Sequence, residues 1–300
     1  MVRLLQAAGA LSVLSAAGCG LPIQSQPTTT PAPRGARHSV AVQRSDYLLV
    51  FTNVEVNGHS TLALLDSGGS TGIQLAASLA NQLGLALQDT TDQRSRLDTT
   101  ARQRQTGTLA TFALGDYRVG PVTFDALEGD VERIAQQVGT SFEAILGWQF
   151  LAQFYSVLDY ARGRLDFEDT SSSASPTAPP AAALALDITP AGGVPLVAAR
   201  VDSTEVRFVL DTGAPISTLD KSLVDSLGSA RGSTSVLLQG QRIPLDLREV
   251  VFGDQRLQIG FLAKELGALK PLGASGALGT TLLGQYRLVL DGPARRAYLV

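Results

Sequence analysis

The chain has 300 residues, enough for two modest domains each with its own core. Its 24 basic and 27 acidic residues leave a net charge of −3, with no long basic run and no interleaving of aromatic with basic residues, which argues against a nucleic-acid partner. Thirty glycines, alternating apolar residues and only brief helical patterns indicate a mostly β chain rich in turns.

Residues 1–18 begin with a single basic residue, Arg3, and run through the apolar stretch Leu11-Ser12-Val13-Leu14-Ser15-Ala16-Ala17-Gly18 to Cys19, the only cysteine. This resembles a bacterial lipoprotein signal peptide, cleaved before a cysteine that becomes lipidated. Ala16 departs from the Leu usually preferred three places before that cysteine. The alternative readings are a general secretory signal or a buried free thiol. Because Gly20 is not the Asp that holds such lipoproteins at the inner membrane, the resemblance implies the periplasmic face of the outer membrane, with Cys19 as the link to lipid. The stretch is too short and too interrupted to span a bilayer, and a lone cysteine leaves no disulfide to form. Residues 19–38, rich in Pro, Thr and Gln and without an apolar period, read as a flexible tether.

The body divides into a first lobe, 39–169, and a second, 183–300, separated by a linker, 170–182, that carries Ser171-Ser172-Ser173 and Pro179-Pro180. In the first lobe, Val54 to Leu65 reads as strand, Asn57-Gly58 turn and strand, ending on Asp66-Ser67-Gly68. A short helix is expected from Leu75 to Leu83, closed by Gly84. In the second lobe, Leu196 to Val201, a turn at Asp202-Ser203-Thr204 and Val206 to Leu210 lead to Asp211-Thr212-Gly213, and Leu219 to Leu227 is expected to be helical up to Gly228. Farther on, Ile145-Leu146-Gly147 is answered by Leu282-Leu283-Gly284. Each triplet precedes a strand and a basic turn, at Val157 to Arg164 and at Val289 to Arg296. These features recur in one order, with the two Asp residues 145 positions apart, which points to an internal duplication.

With these motifs the chain resembles the retropepsin-like and pepsin-like aspartic proteases, over nearly all of Asp46 to Val300. The resemblance implies two homologous β-barrel-like lobes with a central active-site cleft, one Asp-Thr/Ser-Gly loop from each. It also implies that Ile145-Leu146-Gly147 and Leu282-Leu283-Gly284 cross beneath those loops, and that the Ser67 and Thr212 hydroxyls hydrogen-bond across the interface and hold the carboxylates. A flap is expected near Asp98-Thr99-Thr100-Ala101, without the Tyr of the pepsin type, and another near Gln239-Gly240-Gln241. Tyr117 and Trp148 are read as core or sheet residues.

The chemistry requires two carboxyl groups that share one proton, since two charges in contact cannot both ionise. Asp66 and Asp211 would activate a water between them, one as base and one as acid, to hydrolyse a peptide bond with no cofactor, no metal and no covalent adduct. They titrate as a pair. Gly68 and Gly213 let the two loops turn tightly and approach. Gly69 and Ala214 offer no side-chain hydrogen bond to depress the pair, so a weakly acidic optimum is expected. The partner is then a polypeptide, and the enzyme a membrane-tethered endopeptidase working as a monomer. The alternative is a catalytically silent bilobal lipoprotein that binds peptides or envelope proteins.

Competing chemistries fail on these residues. Gly68-Gly69-Ser70-Thr71-Gly72 matches the Gly-x-Ser-x-Gly elbow of serine hydrolases, but that motif needs a later His and the last one is His59. His38 in the tether and His59 beside a turn do not make a zinc site. The same glycines lack the Lys of a phosphate loop.

Overall fold

A computed structural model describes residues 36–90, 104–169 and 184–300. The expected leader with Cys19, nearly all of the tether, the interlobe linker and the first flap position near Asp98 lie outside the described residues.

In the first half β1 (Arg37–Ala41) and β2 (Gln43–Arg44) precede β3 (Val50–Val56), which folds back on β4 (His59–Asp66). The turn between them has Asn57 at φ 50° and Gly58 at φ 82°, the left-handed pair that a tight hairpin requires and that Asn-Gly adopts at low cost. Then follow β5 (Ile73–Ala76), α1 (Ala77–Gln82), β6 (Gln88–Asp89), β7 (Arg104–Leu109), β8 (Phe112–Leu114), β9 (Tyr117–Val119) and β10 (Val122–Leu127). Next come α2 (Asp130–Val138), β11 (Ala144–Gly147), α3 (Trp148–Leu151), β12 (Phe154–Asp159) and β13 (Arg164–Asp169). The expected helix at Leu75 starts two residues later because Leu75 and Ala76 pair with β10 as strand, and Gly84 closes it at φ 62°.

The second half opens with β14 (Leu184–Ala191), β15 (Val194–Val201), β16 (Thr204–Leu210), β17 (Thr218–Asp220) and α4 (Lys221–Leu227). It continues through β18 (Gly232–Leu238), β19 (Gln241–Phe252), β20 (Gln255–Lys264), a 3₁₀ turn (Gly267–Leu272), β21 (Gly276–Leu278), α5 (Thr280–Leu283), β22 (Arg287–Asp291) and β23 (Arg296–Leu299). The path β15-β16-β21-β17-β20-β19 closes through pairing of β19 with β15, so six strands make a barrel without free edges. In the first half β3-β4-β11-β5-β10-β7 runs in the same order, and β8 carries the path back to β3. There β7 and β8 stand for the unbroken β19, while β9 and β10 stand for β20, interrupted at Gly120-Pro121, where proline has no N–H for the ladder.

An antiparallel sheet ordered β1-β13-β12-β22-β23-β14 joins the halves through β12 and β22. Both β12 and β22 end in an Asp that caps the basic turn after it: Asp159 Oδ1 accepts from the Arg162 amide and Asp291 Oδ1 from the Ala294 amide. Because strands of the two halves join in one sheet at the β12–β22 pair, their apolar faces merge. The main core runs from Tyr47 to Leu299 across both halves instead of dividing into the two that length suggested, and a smaller separate cluster around Val194, Leu196, Val209 and Leu269 lies in the second half. The body also starts earlier than expected. His38, read as tether, lies in β1, buried against Tyr117 and Phe167 with Nδ1 2.8 Å from Asp116. Tyr117 and Trp148 are core residues, as expected.

Candidate active site

Each acidic loop begins where a central sheet strand stops. β4 delivers Asp66 with Gly147 of the parallel strand β11 directly opposite, and β16 delivers Asp211 one residue beyond the pair Leu210 and Leu278 of β21. The segment that crosses beside the second loop is therefore Ala277-Leu278-Gly279, which corrects the expectation of Leu282-Leu283-Gly284. Those residues lie in and just after α5, one helical turn farther on. The first crossing is Ile145-Leu146-Gly147, as expected. Both crossing glycines are extended N-caps of four-residue helices, and a Cβ on either would strike loop backbone, at Thr71 and Gly69 for Gly147 and at Ile216 and Ala214 for Gly279.

The two carboxyl groups face each other across the interface. Asp66 is fully buried and Asp211 is 2 % exposed. Their approach depends on two glycines: a Cβ on Gly68 would overlap the Asp211 carboxyl group, and one on Gly213 would overlap that of Asp66. Within each loop a backbone amide orients its own acid, Gly69 donating to Asp66 Oδ1 and Gly213 to Asp211 Oδ1, both at 2.9 Å.

The hydroxyls beside the acids form a reciprocal clasp. The Ser67 amide donates to Thr212 Oγ1 at 2.9 Å, and that hydroxyl donates to the Leu65 carbonyl at 2.8 Å. In return the Thr212 amide donates to Ser67 Oγ at 3.0 Å, and that hydroxyl donates to the Leu210 carbonyl at 2.7 Å. All four bonds cross between the halves and are shut off from water, where a buried donor or acceptor without a partner is costly. Ser67 thus does what Thr212 does, and its missing methyl leaves the polar geometry intact.

Burial pushes the Asp211 carboxyl well above the usual carboxylate range, and the charge of Asp66 and a hydrogen bond to it push the same way. The amides of Gly213 and Ala214 oppose the shift. A carboxyl held neutral beside an ionised one is the state in which a pair can supply one acid and one base.

Sequence reasoning missed the side chains that brace the loops. Gln149 Nε2 donates to the Ser70 carbonyl at 2.6 Å, and the amides of Gly147, Trp148 and Gln149 donate to Gly72, Gly69 and Thr71. The glycine-rich first loop is thereby tied down at four successive carbonyls. In the second loop Thr280 bonds the Ala214 carbonyl through both its amide and its hydroxyl, and Thr281 Oγ1 accepts from the Ser217 amide. Ser217 Oγ accepts from Gly279, the role that the Gly72 carbonyl plays for Gly147. The available signal was the polar residue one or two places after each crossing glycine.

Gln239 and Gly240, at φ 47° and 75°, turn the β18–β19 hairpin at the expected second flap position. Its tip reaches the other half, where Gln239 Nε2 donates to the Val138 carbonyl at the end of α2, 3.2 Å away. Among the described residues no group of three His, Cys, Asp or Glu side chains could hold a metal ion, and no helix is long and apolar enough to cross a membrane.

Residues 52–150 match the family model of aspartyl proteases, a span that includes Asp66 and the Gly147 crossing and stops before Asp211. The match supports an aspartyl protease family, and with it a hydrolase acting on polypeptides. No curated protein matches the chain.

Proposed function

We propose that the protein is an aspartic endopeptidase whose two halves arose by internal duplication, with Asp66 and Asp211 as the catalytic pair. The observation that carries this reading is the pair itself: two buried carboxyl groups in contact, each on its own Asp-Ser/Thr-Gly loop, with Asp211 raised by burial and by Asp66. A water between them would lose its proton to the ionised member as its oxygen attacks the substrate carbonyl. The neutral member would donate to the carbonyl oxygen, giving a tetrahedral intermediate without an enzyme adduct. Collapse of that intermediate returns a proton to the leaving amine. Ser67, Thr212 and the two glycines act by holding this geometry, which a small displacement would spoil.

The β18–β19 hairpin would serve as the flap over the bound chain, and Gln239 would leave Val138 to admit it. We assign the leader and Cys19 to lipid anchoring on the periplasmic face of the outer membrane, with the body acting as a monomer.

Cleavage of a mixed peptide library by the purified protein across pH 3 to 8 tests the reading. Loss of one proton-transfer partner costs about 10²–10⁴ in rate, so Asp66→Asn and Asp211→Asn should each fall to near background, as should the wild type with a statine-type inhibitor. The optimum should be weakly acidic, and a rate still climbing below about pH 3, under the ordinary Asp value, would contradict this. A folded protein that binds peptides and cleaves none would leave the silent binding lipoprotein instead.

A further inference from the structure

Arg44 is exposed on β2 and has no carboxylate within ion-pair distance among the described residues. From β2 of the first half its guanidinium reaches over α5 of the second, with Nη2 3.3 Å from where a Cβ on Gly284 would stand. There it walls a pocket of ≈ 350 Å³ together with Leu48, with Val236, Leu245 and Ile259 of the β18–β20 face, and with Thr280 and Thr281. Thr280 places this pocket against the second acidic loop, since it bonds the Ala214 carbonyl three residues after Asp211. The hairpin that forms the opposite wall is the one proposed as the flap.

Among the described residues Arg44 is the only charged one of the pocket lining, and the others there are apolar or carry a neutral hydroxyl or amide. A guanidinium is always protonated and its fork matches a carboxylate, while an apolar wall beside it favours the stem that carries that carboxylate.

We propose that this pocket selects substrates by a carboxylate, taking an acidic side chain or a free C-terminal carboxylate at a fixed distance from the scissile bond and pairing it with Arg44. The inference rests on the proteolytic reading for its location in a cleavage site, but its binding chemistry can be read without cleavage.

The test uses the full-length protein and one cleaved peptide remade with Glu or Gln at each position in turn, and with a free or amidated C-terminus. A partly exposed pair of this kind is worth up to about fivefold. The expected result is a preference of about fivefold in kcat/KM for Glu over Gln at one position, or for the free over the amidated end, which identifies the source of the carboxylate. Arg44→Gln should bring that ratio to about one, and Arg44→Glu should shift the preference to Lys at the same position. No preference in the wild type, or an unchanged preference in Arg44→Gln, overturns the proposal. The same peptides, fluorescently labelled, are also titrated against wild type and Arg44→Gln. If nothing is cleaved but the acidic preference appears in binding and depends on Arg44, the proteolytic reading fails and the pocket assignment stands. If cleavage occurs and neither readout shows the preference, the reverse holds.

Discussion

Removing the Thr212 hydroxyl tests whether the clasp between the halves holds the acids in place. In Thr212→Val the Ser67 amide loses its acceptor and the Leu65 carbonyl its donor, and both groups are buried. A buried polar group without a partner costs about 1–3 kcal/mol. Two such groups, partly relieved by relaxation, set the expected loss at about 3 kcal/mol. Thr212→Ser keeps both bonds and removes one buried methyl, which costs about 1 kcal/mol. Val is nearly isosteric with Thr, so the loss in Thr212→Val reports the hydroxyl, and its excess of about 2 kcal/mol over Thr212→Ser separates that loss from the effect of a methyl. Urea unfolding measures it, and a cycle with Ser67→Ala should return a coupling energy of about 0.5–3 kcal/mol, because each hydroxyl accepts from the other residue's amide. Cleavage should fall farther in Thr212→Val than in Thr212→Ser. If the two variants unfold within about 0.5 kcal/mol of each other, the four bonds do not stabilise the interface in the way their geometry implies.

Two further outcomes depend on the acids and their glycines. The raised Asp211 keeps its proton in the folded protein at pH values where the unfolded chain has ionised, so the folded state binds more protons and stability falls as pH rises from about 3.9 toward the raised folded value. Asp211→Asn removes that dependence. Melting curves should show the variant gaining on the wild type as pH rises from 4 to 7, and parallel curves would show that Asp211 is not held neutral. Gly68→Ala drives a methyl into the Asp211 carboxyl group and should cost about 1–3 kcal/mol together with most of the cleavage. Gly69→Ala meets Asp66 Oδ2 at 3.2 Å, needs only a few tenths of an ångström of give, and should retain activity. Equal activity in the two alanine variants would show that the close approach across Gly68 does not matter.

Local signals carried much of the fold. Asn57-Gly58 names its own hairpin because few residues accept two successive left-handed conformations. The alternating runs before Asp66 and Asp211 could bury one face only as strands, and Gly84 and Gly228 close short helices at positive φ. The two acids were legible because the same tripeptide recurs among the same neighbours. The crossing segment of the second half was not. Ala277-Leu278-Gly279 and Leu282-Leu283-Gly284 are both apolar-apolar-Gly, and only the parallel pairing of β21 with β16 selects the first.

What the sequence by itself determined was therefore local: where the strands turn, where helices end, and which carboxyl groups stand at equivalent points of two repeated units. Tertiary structure decided which groups meet. Ser67 finds the Leu210 carbonyl 143 residues away, Gln149 clamps a loop 79 residues earlier, Gln239 reaches Val138, and Arg44 walls a pocket built mostly by the other half. The physical reason is that backbone conformation is set by each residue's own sterics and its near neighbours, so it shows in short windows. A hydroxyl, amide or guanidinium can bond any suitable partner. Only the folding of the two sheets and the pairing of β12 with β22 brings one partner within reach and removes the water that would otherwise take its place.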